Sequence, residues 1–156
     1  SRCVPDTSPT GLAHLCFAGL GAHVTRRTAD GYEADFTYLA PLTVRPGFER
    51  YGAKATFDAA ARPVSIWWSH GEKEVRPGDA AWTHAKFAFR SSLLTGVTLK
   101  DHLAATHLTI AATLVSASRD HLPATHPLRR LLKPFTYRTI AVNRAAGTLL
   151  AQSLQA

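Results

Sequence analysis

Two histidines, His102 and His107, stand five residues apart in a stretch whose apolar positions recur at helical spacing. Leu103, Ile110, Ala111, Leu114 and Val115 share the stripe, with His107 inside it. A histidine on a core-facing stripe is either a satisfied core residue or a ligand, and a second one on the same helix adds weight to metal or haem. The spacing then matters. Five residues of a regular α-helix turn a side chain roughly 140° away, whereas four bring it nearly back. His102 and His107 can therefore share one ion only where the helix is underwound, as at a π-bulge. On a straight helix they serve separate purposes.

The rest of the chain is arranged around this helix. Residues 1–9 read as a flexible lead, with Ser8 as a helix cap and Pro9 at the first helical position. Leu12, Leu15, Cys16, Leu20 and His23 follow at helical spacing through Gly19 and Gly21. After the Asp30-Gly31 turn signal, Tyr32 to Phe36 alternates as a short strand. Ala53–Phe57 and Val64–Trp68 flank Asp58–Pro63 as a hairpin with a longer loop, and Trp67 and Trp68 give it something to pack. Asp79 is a plausible cap for a helix starting near Ala80, whose apolar face is Trp82, Ala85, Phe89 and Leu93. Gly96 suits a bend before the His102 helix, which ends near Arg119-Asp120 ahead of Pro123. Thr125 caps a short helix beginning at His126-Pro127, and Pro134 opens a terminal helix through Tyr137, Ile140, Ala141, Leu149 and Leu150.

This ordered set resembles the iron-site region of lipoxygenases. Thr106-His107-Leu108, His126-Pro127 with Leu131-Leu132, and Thr139-Ile140-Ala141-Val142-Asn143 match the family's pattern in order and spacing. Upstream, Trp82-Thr-His-Ala-Lys86 resembles the lead into the family's ligand helix, and Tyr51–Phe57 with Arg62–Ile66 resembles its paired strands. The likeness runs from about Gly11 to the end of the chain. It implies a mainly α fold: a lipoxygenase-like helical core with a small β-hairpin in the N-terminal half, as one reduced domain over 1–156.

The resemblance also implies non-haem iron, held in the family by two histidines five apart, a third histidine, an Asn-like residue and a terminal carboxylate. Aligned through Lys86 and His107, the second ligand falls on His102 and the first on Val97, which has no donor atom; Phe135 stands where the family has a further histidine. Two cofactor readings follow. A haem needs one axial imidazole from the protein, for which His102 comes first and His107 second. Val97 would then be an apolar wall, and Arg90, Arg129 or Arg130 could pair with propionates or a substrate carboxylate. Alternatively, non-haem iron at His102 and His107 is completed by another chain or segment, such as a second copy in a homo-oligomer. Either way the expected function is an iron-dependent oxidoreductase, oxygenase or peroxidase in type, acting on an apolar, fatty-acid-like or aromatic substrate. The alternative is a non-catalytic lipoxygenase-like module that binds lipid or a partner chain.

Composition sets the outer bounds. The 156 residues are 46% apolar with three Trp and seven Phe, which argues for a folded core. A net charge of +7 suits an acidic partner, a membrane surface or a carboxylate, but the basic residues are scattered and form no nucleic-acid motif, so no nucleic-acid partner is expected. Cys16 reads as a buried thiol and Cys3 as part of the lead; two cysteines make neither a disulfide framework nor a zinc site. His14 and His23 read as partly exposed, and His70 as a loop residue. No run is long enough to span a membrane and no signal-peptide pattern opens the chain, so a cytoplasmic location is the expectation. A Ser-His-Asp order with a nucleophile elbow, a glycine-rich phosphate loop and zinc-type cysteine spacing are all missing, which sets hydrolase and nucleotide-binding classes aside.

Overall fold

The computed structural model describes residues 10–154, with side chains through 149; Cys3, Ser8 and Pro9, and the side chain of Leu150, lie outside this description. The chain divides into two compact units, Ser1–Val97 and Thr98–Ala156.

The first unit is built on an antiparallel sheet of five strands in sequential order: β1 (Arg26–Arg27), β2 (Tyr32–Asp35), β3 (Ala53–Phe57), β4 (Pro63–Trp68) and β5 (Lys73–Val75). This corrects the expected mainly α fold, because the hairpin is the centre of a sheet and the unit is mixed α/β. The β3–β4 hairpin is where the alternation placed it, pairing Ala53 with Trp68 and Ala55 with Ile66. Tyr32–Asp35 joins it by pairing Ala34 with Ala55. The edges were hidden for a physical reason: β1 is two exposed arginines, and β5 has two charged residues and a single buried valine. Neither is long enough to display a period of two. Short charged edges also blunt the sheet against pairing with other chains.

One face of the sheet is covered by α1 (Gly11–Phe17) and α2 (Trp82–Gly96). Ala34, Ala53, Ala55, Phe57, Ile66 and Val75 from the sheet meet Leu12 and Cys16 of α1 and Ala85, Phe89 and Leu93 of α2. The small alanines on β2 and β3 leave room for the rings of Phe36 and Phe89, which meet edge to face at 5.8 Å. Gly96, at the end of α2, lies where a Cβ would come within 2.8 Å of the Phe36 ring, so the glycine answers to that ring.

Local limits differ from the sequence reading at several points. α1 stops at Phe17, and Gly19 and Gly21 belong to turns rather than to a helix running to His23. Asp79 does not cap α2. Its carboxylate accepts from the Arg76 amide at 2.7 Å, closing a turn, and the helix begins after Ala81.

The second unit is helical: α3 (Ala112–His121), α4 (Pro127–Thr136) and α5 (Thr139–Leu154), with α3 packed on both others. They follow a π-helix over Val97–Ala111. Helix α3 ends before Pro123 as expected. Helix α4 is capped by the His126 imidazole, whose Nδ1 accepts from the Leu128 amide at 3.2 Å, and not by Thr125. Pro134 lies inside α4; α5 starts after Arg138, whose φ of +57° breaks the chain direction. The stripe expected to face a core does not do so. Val115 is buried, whereas Leu114 is exposed and Ile110 is 61% exposed.

Candidate functional site

The π-helix over Val97–Ala111 supplies the underwinding that the five-residue spacing called for. A ladder closed at i→i+5 stacks residues five apart as an α-helix stacks residues four apart. Two threonines share in it, since Thr106 Oγ1 donates to the Asp101 carbonyl and Thr109 Oγ1 to the Ala104 carbonyl, each five residues back and each at 2.9 Å. His102 and His107 are thereby neighbours, their ring centroids 4.7 Å apart and their planes at 80°. Val97 and Ala112 continue the same row without donor atoms. His102 is exposed and His107 half-buried. Asn143 Nδ2 from α5 donates to the His107 carbonyl at 2.6 Å, which fixes the backbone that carries the second ring.

Two imidazoles bound at right angles to one ion, each nitrogen about 2.1 Å from it, place their centroids roughly 4.6 Å apart. The observed centroid separation is close to that value, and it is also that of an ordinary edge-to-face contact between two rings. A haem has a different geometry: porphyrin nitrogens fill its plane and the two remaining positions lie on opposite faces. Neighbouring rings on one helix cannot take both. Two imidazoles make half of a metal site, and among the described residues no group of three or more His, Cys, Asp or Glu is placed to hold an ion.

The arginines assigned to propionates or a substrate carboxylate separate. Arg90 is in the sheet unit, where with Lys86 it lines a groove shared with residues of α1. Arg129 and Arg130 are in the helical unit and line one cavity with Arg119 and Lys133. His70 sits half-buried on the Ser69–Gly71 turn, with its Nε2 buried and without a hydrogen-bond partner. His14 and His23 are exposed. Cys16 is fully buried, and burial pushes its thiol up to about 12, so it is no nucleophile.

One constellation was missed. His84 Nε2 lies 2.9 Å from Glu49 Oε2, and its ring meets Trp68 edge-on at 4.8 Å. Glu49 comes from an irregular loop and His84 from α2, so no local period joins them. Its partly exposed imidazole–carboxylate pair ties that loop to the helix. No protein-family model, curated protein or solved structure matches this chain.

Proposed function

We propose that the chain carries the iron-binding part of a lipoxygenase-like oxidoreductase, oxygenase or peroxidase in type, acting on an apolar, fatty-acid-like or aromatic substrate. His102 and His107 are its two imidazole ligands. The observation that carries the reading is their juxtaposition on the π-helix at 4.7 Å, in a segment that already resembles the family's ligand helix. π-Helix is rare, and its single-turn bulges are frequently found at functional sites. Such a segment is what brings two rings five residues apart onto one face.

The adjacent placement supports the non-haem reading, which uses both imidazoles, whereas the haem reading needs only one. Iron there would supply one-electron chemistry toward oxygen or peroxide. The chain's own contribution is to present two imidazoles side by side, with Asn143 holding the backbone of the second. The open side at His102 leaves the remaining positions to another chain or segment. No catalytic step is derived from two ligands alone.

The test is anaerobic titration with Fe(II), followed by dialysis, iron quantification and oxygen uptake with a polyunsaturated fatty acid. His102→Ala and His107→Ala should each abolish retained iron; retention unchanged in both would overturn the assignment. A Soret band on haem addition, lost in His102→Ala alone, would restore the haem reading. The non-catalytic alternative draws on the apolar side chains that the helical unit leaves exposed, among them Leu131 and Phe135. An iron-free protein that binds fatty acid without consuming oxygen would favour it.

A further inference from the structure

The helical unit carries a charge imbalance the sheet unit lacks. Between Thr98 and Ala156 there are seven Lys and Arg against two Asp, whereas the first 97 residues have eleven against nine Asp and Glu. The folding of α3, α4 and α5 gathers this excess instead of dispersing it. Arg119, Arg129, Arg130 and Lys133 line one cavity of about 550 Å³, within the range of small-molecule sites, and no carboxylate lines it. Among the described residues none of the four is paired with a carboxylate. Arg129 is held in place by Nη1, which donates to the Leu122 carbonyl at 2.6 Å and the Arg119 carbonyl at 3.3 Å; its other N–H groups take no part in these bonds. Four like charges around one space repel one another, and an anion relieves that repulsion.

A second, open groove of about 860 Å³ shares Arg119 with the first. Ile140, Ala141, Ala145 and Leu149 of α5 give it an apolar lining, and Arg138 and Arg144 line it as well. A charged cavity joined at one residue to an apolar groove is the shape of an amphiphile. The number of cations specifies the head: one carboxylate answers one of them, whereas a phosphomonoester brings nearly two negative charges and three acceptor oxygens suited to guanidinium forks. The neighbouring face of α4 suits a bilayer. Leu128, Leu131 and Phe135 fall at i, i+3 and i+7 on one side of the helix, and all three are exposed.

We propose that the Thr98–Ala156 unit binds an anionic phospholipid of the phosphatidate type, with its phosphate among Arg119, Arg129, Arg130 and Lys133 and its acyl chain along Ile140 and Leu149. This inference is independent of the histidine pair, and its test involves no iron.

The full chain is sedimented with phosphatidylcholine vesicles and with vesicles doped with phosphatidate. Binding to the doped vesicles alone is expected. Arg130→Ala with Lys133→Ala should weaken it roughly thirtyfold, at about a factor of five per cation near an anionic surface. Arg26→Ala with Arg27→Ala removes the same net charge from exposed β1 and should leave binding within about twofold. Equal weakening by the two double variants, or equal binding to both kinds of vesicle, would overturn the site. Ile140→Ser with Leu149→Ser, both at exposed positions, should also weaken vesicle binding. If that variant binds as the parent does while inorganic phosphate displaces the vesicles, the site takes free phosphate and the lipid assignment fails. It fails likewise if an oligonucleotide at matched phosphate concentration displaces them better than short-chain phosphatidate. Circular dichroism of each variant confirms that the helices persist.

Discussion

The two units of this chain solve the same problem differently. The sheet unit buries a continuous cluster from Leu12 to Leu93, in which Phe36, Ile66 and Phe89 are sealed from water. The helical unit buries Val115, Ser118 and Thr136 and leaves Ile110, Leu131, Phe135, Val142 and Leu149 exposed. Both have apolar residues at regular spacing. The difference is that the first provides both layers of its own core, whereas among the described residues the helices of the second present stripes with no second layer over them. Periodicity therefore specifies an apolar face, and only the remainder of the fold decides whether that face is interior or docking surface.

The largest effect that can break this contrast is a matched pair of truncations. Phe89→Ala empties a position with 0% exposure against Phe36 and should cost about 3–5 kcal/mol. Phe135→Ala, at 76% exposure, should stay within about 0.5 kcal/mol. Denaturation followed by two signals separates the units. Trp67, Trp68 and Trp82 all belong to the sheet unit, so fluorescence reports on it alone, while far-UV circular dichroism includes the helices. Two transitions that do not coincide are expected, with Phe89→Ala moving the fluorescence transition. A Phe135→Ala protein destabilised as much as Phe89→Ala would show that the helical unit has a core after all.

A second test strikes the sheet from its backbone. Gly31 has φ of +151°, and a Cβ there would stand 2.1 Å from the Phe57 carbonyl oxygen on the paired strand. No rotamer relieves a contact with backbone, so Gly31→Ala should cost about 2–3 kcal/mol, visible in the fluorescence transition. A substitution that left the midpoint unchanged would mean that β2 is looser than its pairing implies.

How much of this was legible follows from where the information lay. The β3–β4 hairpin and the buried face of α2 were readable because Ala53–Phe57 alternates and because Ala85, Phe89 and Leu93 repeat within a single element. Strands β1 and β5 were not, since two or three charged residues carry no period and are strands only by virtue of their neighbours. The resemblance to lipoxygenases drew the expected fold further toward helix and so concealed a five-stranded sheet. At the candidate site, the five-residue spacing of His102 and His107 named the condition for their meeting but could not say whether the helix met it. The pairing of Glu49 with His84 and the gathering of Arg119 with Arg130 depend on tertiary packing, which leaves no local trace.

Cys16 offers a kinetic way to sharpen the contrast. Its side chain is sealed in the sheet unit and its thiol is pushed up to about 12 by burial, an effect that the Thr25 hydrogen bond opposes only in part. A thiol reacts as its thiolate, so in a Cys3→Ser background Cys16 should resist alkylation at neutral pH until the sheet unit opens. Labelling should then track the fluorescence transition and ignore loss of the helices. Rapid alkylation of the folded protein would contradict the closed core on which the comparison rests.

The smallest expected effect lies at the β3–β4 turn. Asp58 accepts from the Arg62 amide at 2.9 Å, the Ala60 amide at 3.0 Å and Arg62 Nε at 2.7 Å. Its pKa is lowered, first by the Arg62 backbone amide and, after an opposing effect of desolvation that ranks second, by the Arg62 side chain and the Ala60 amide. A carboxyl depressed in the folded state stabilises it above the unfolded pKa, and that contribution disappears as pH falls through the folded value. The Ala60 and Arg62 amide resonances should therefore hold steady from neutral pH down past the ordinary Asp range, then move together below it. Asp58→Asn should flatten that response while leaving the core intact, because a surface turn shapes the hairpin without sealing it. Amides that titrated at the ordinary Asp pKa would show that these hydrogen bonds are not formed in solution, and would remove the turn from the interactions that set the sheet unit apart.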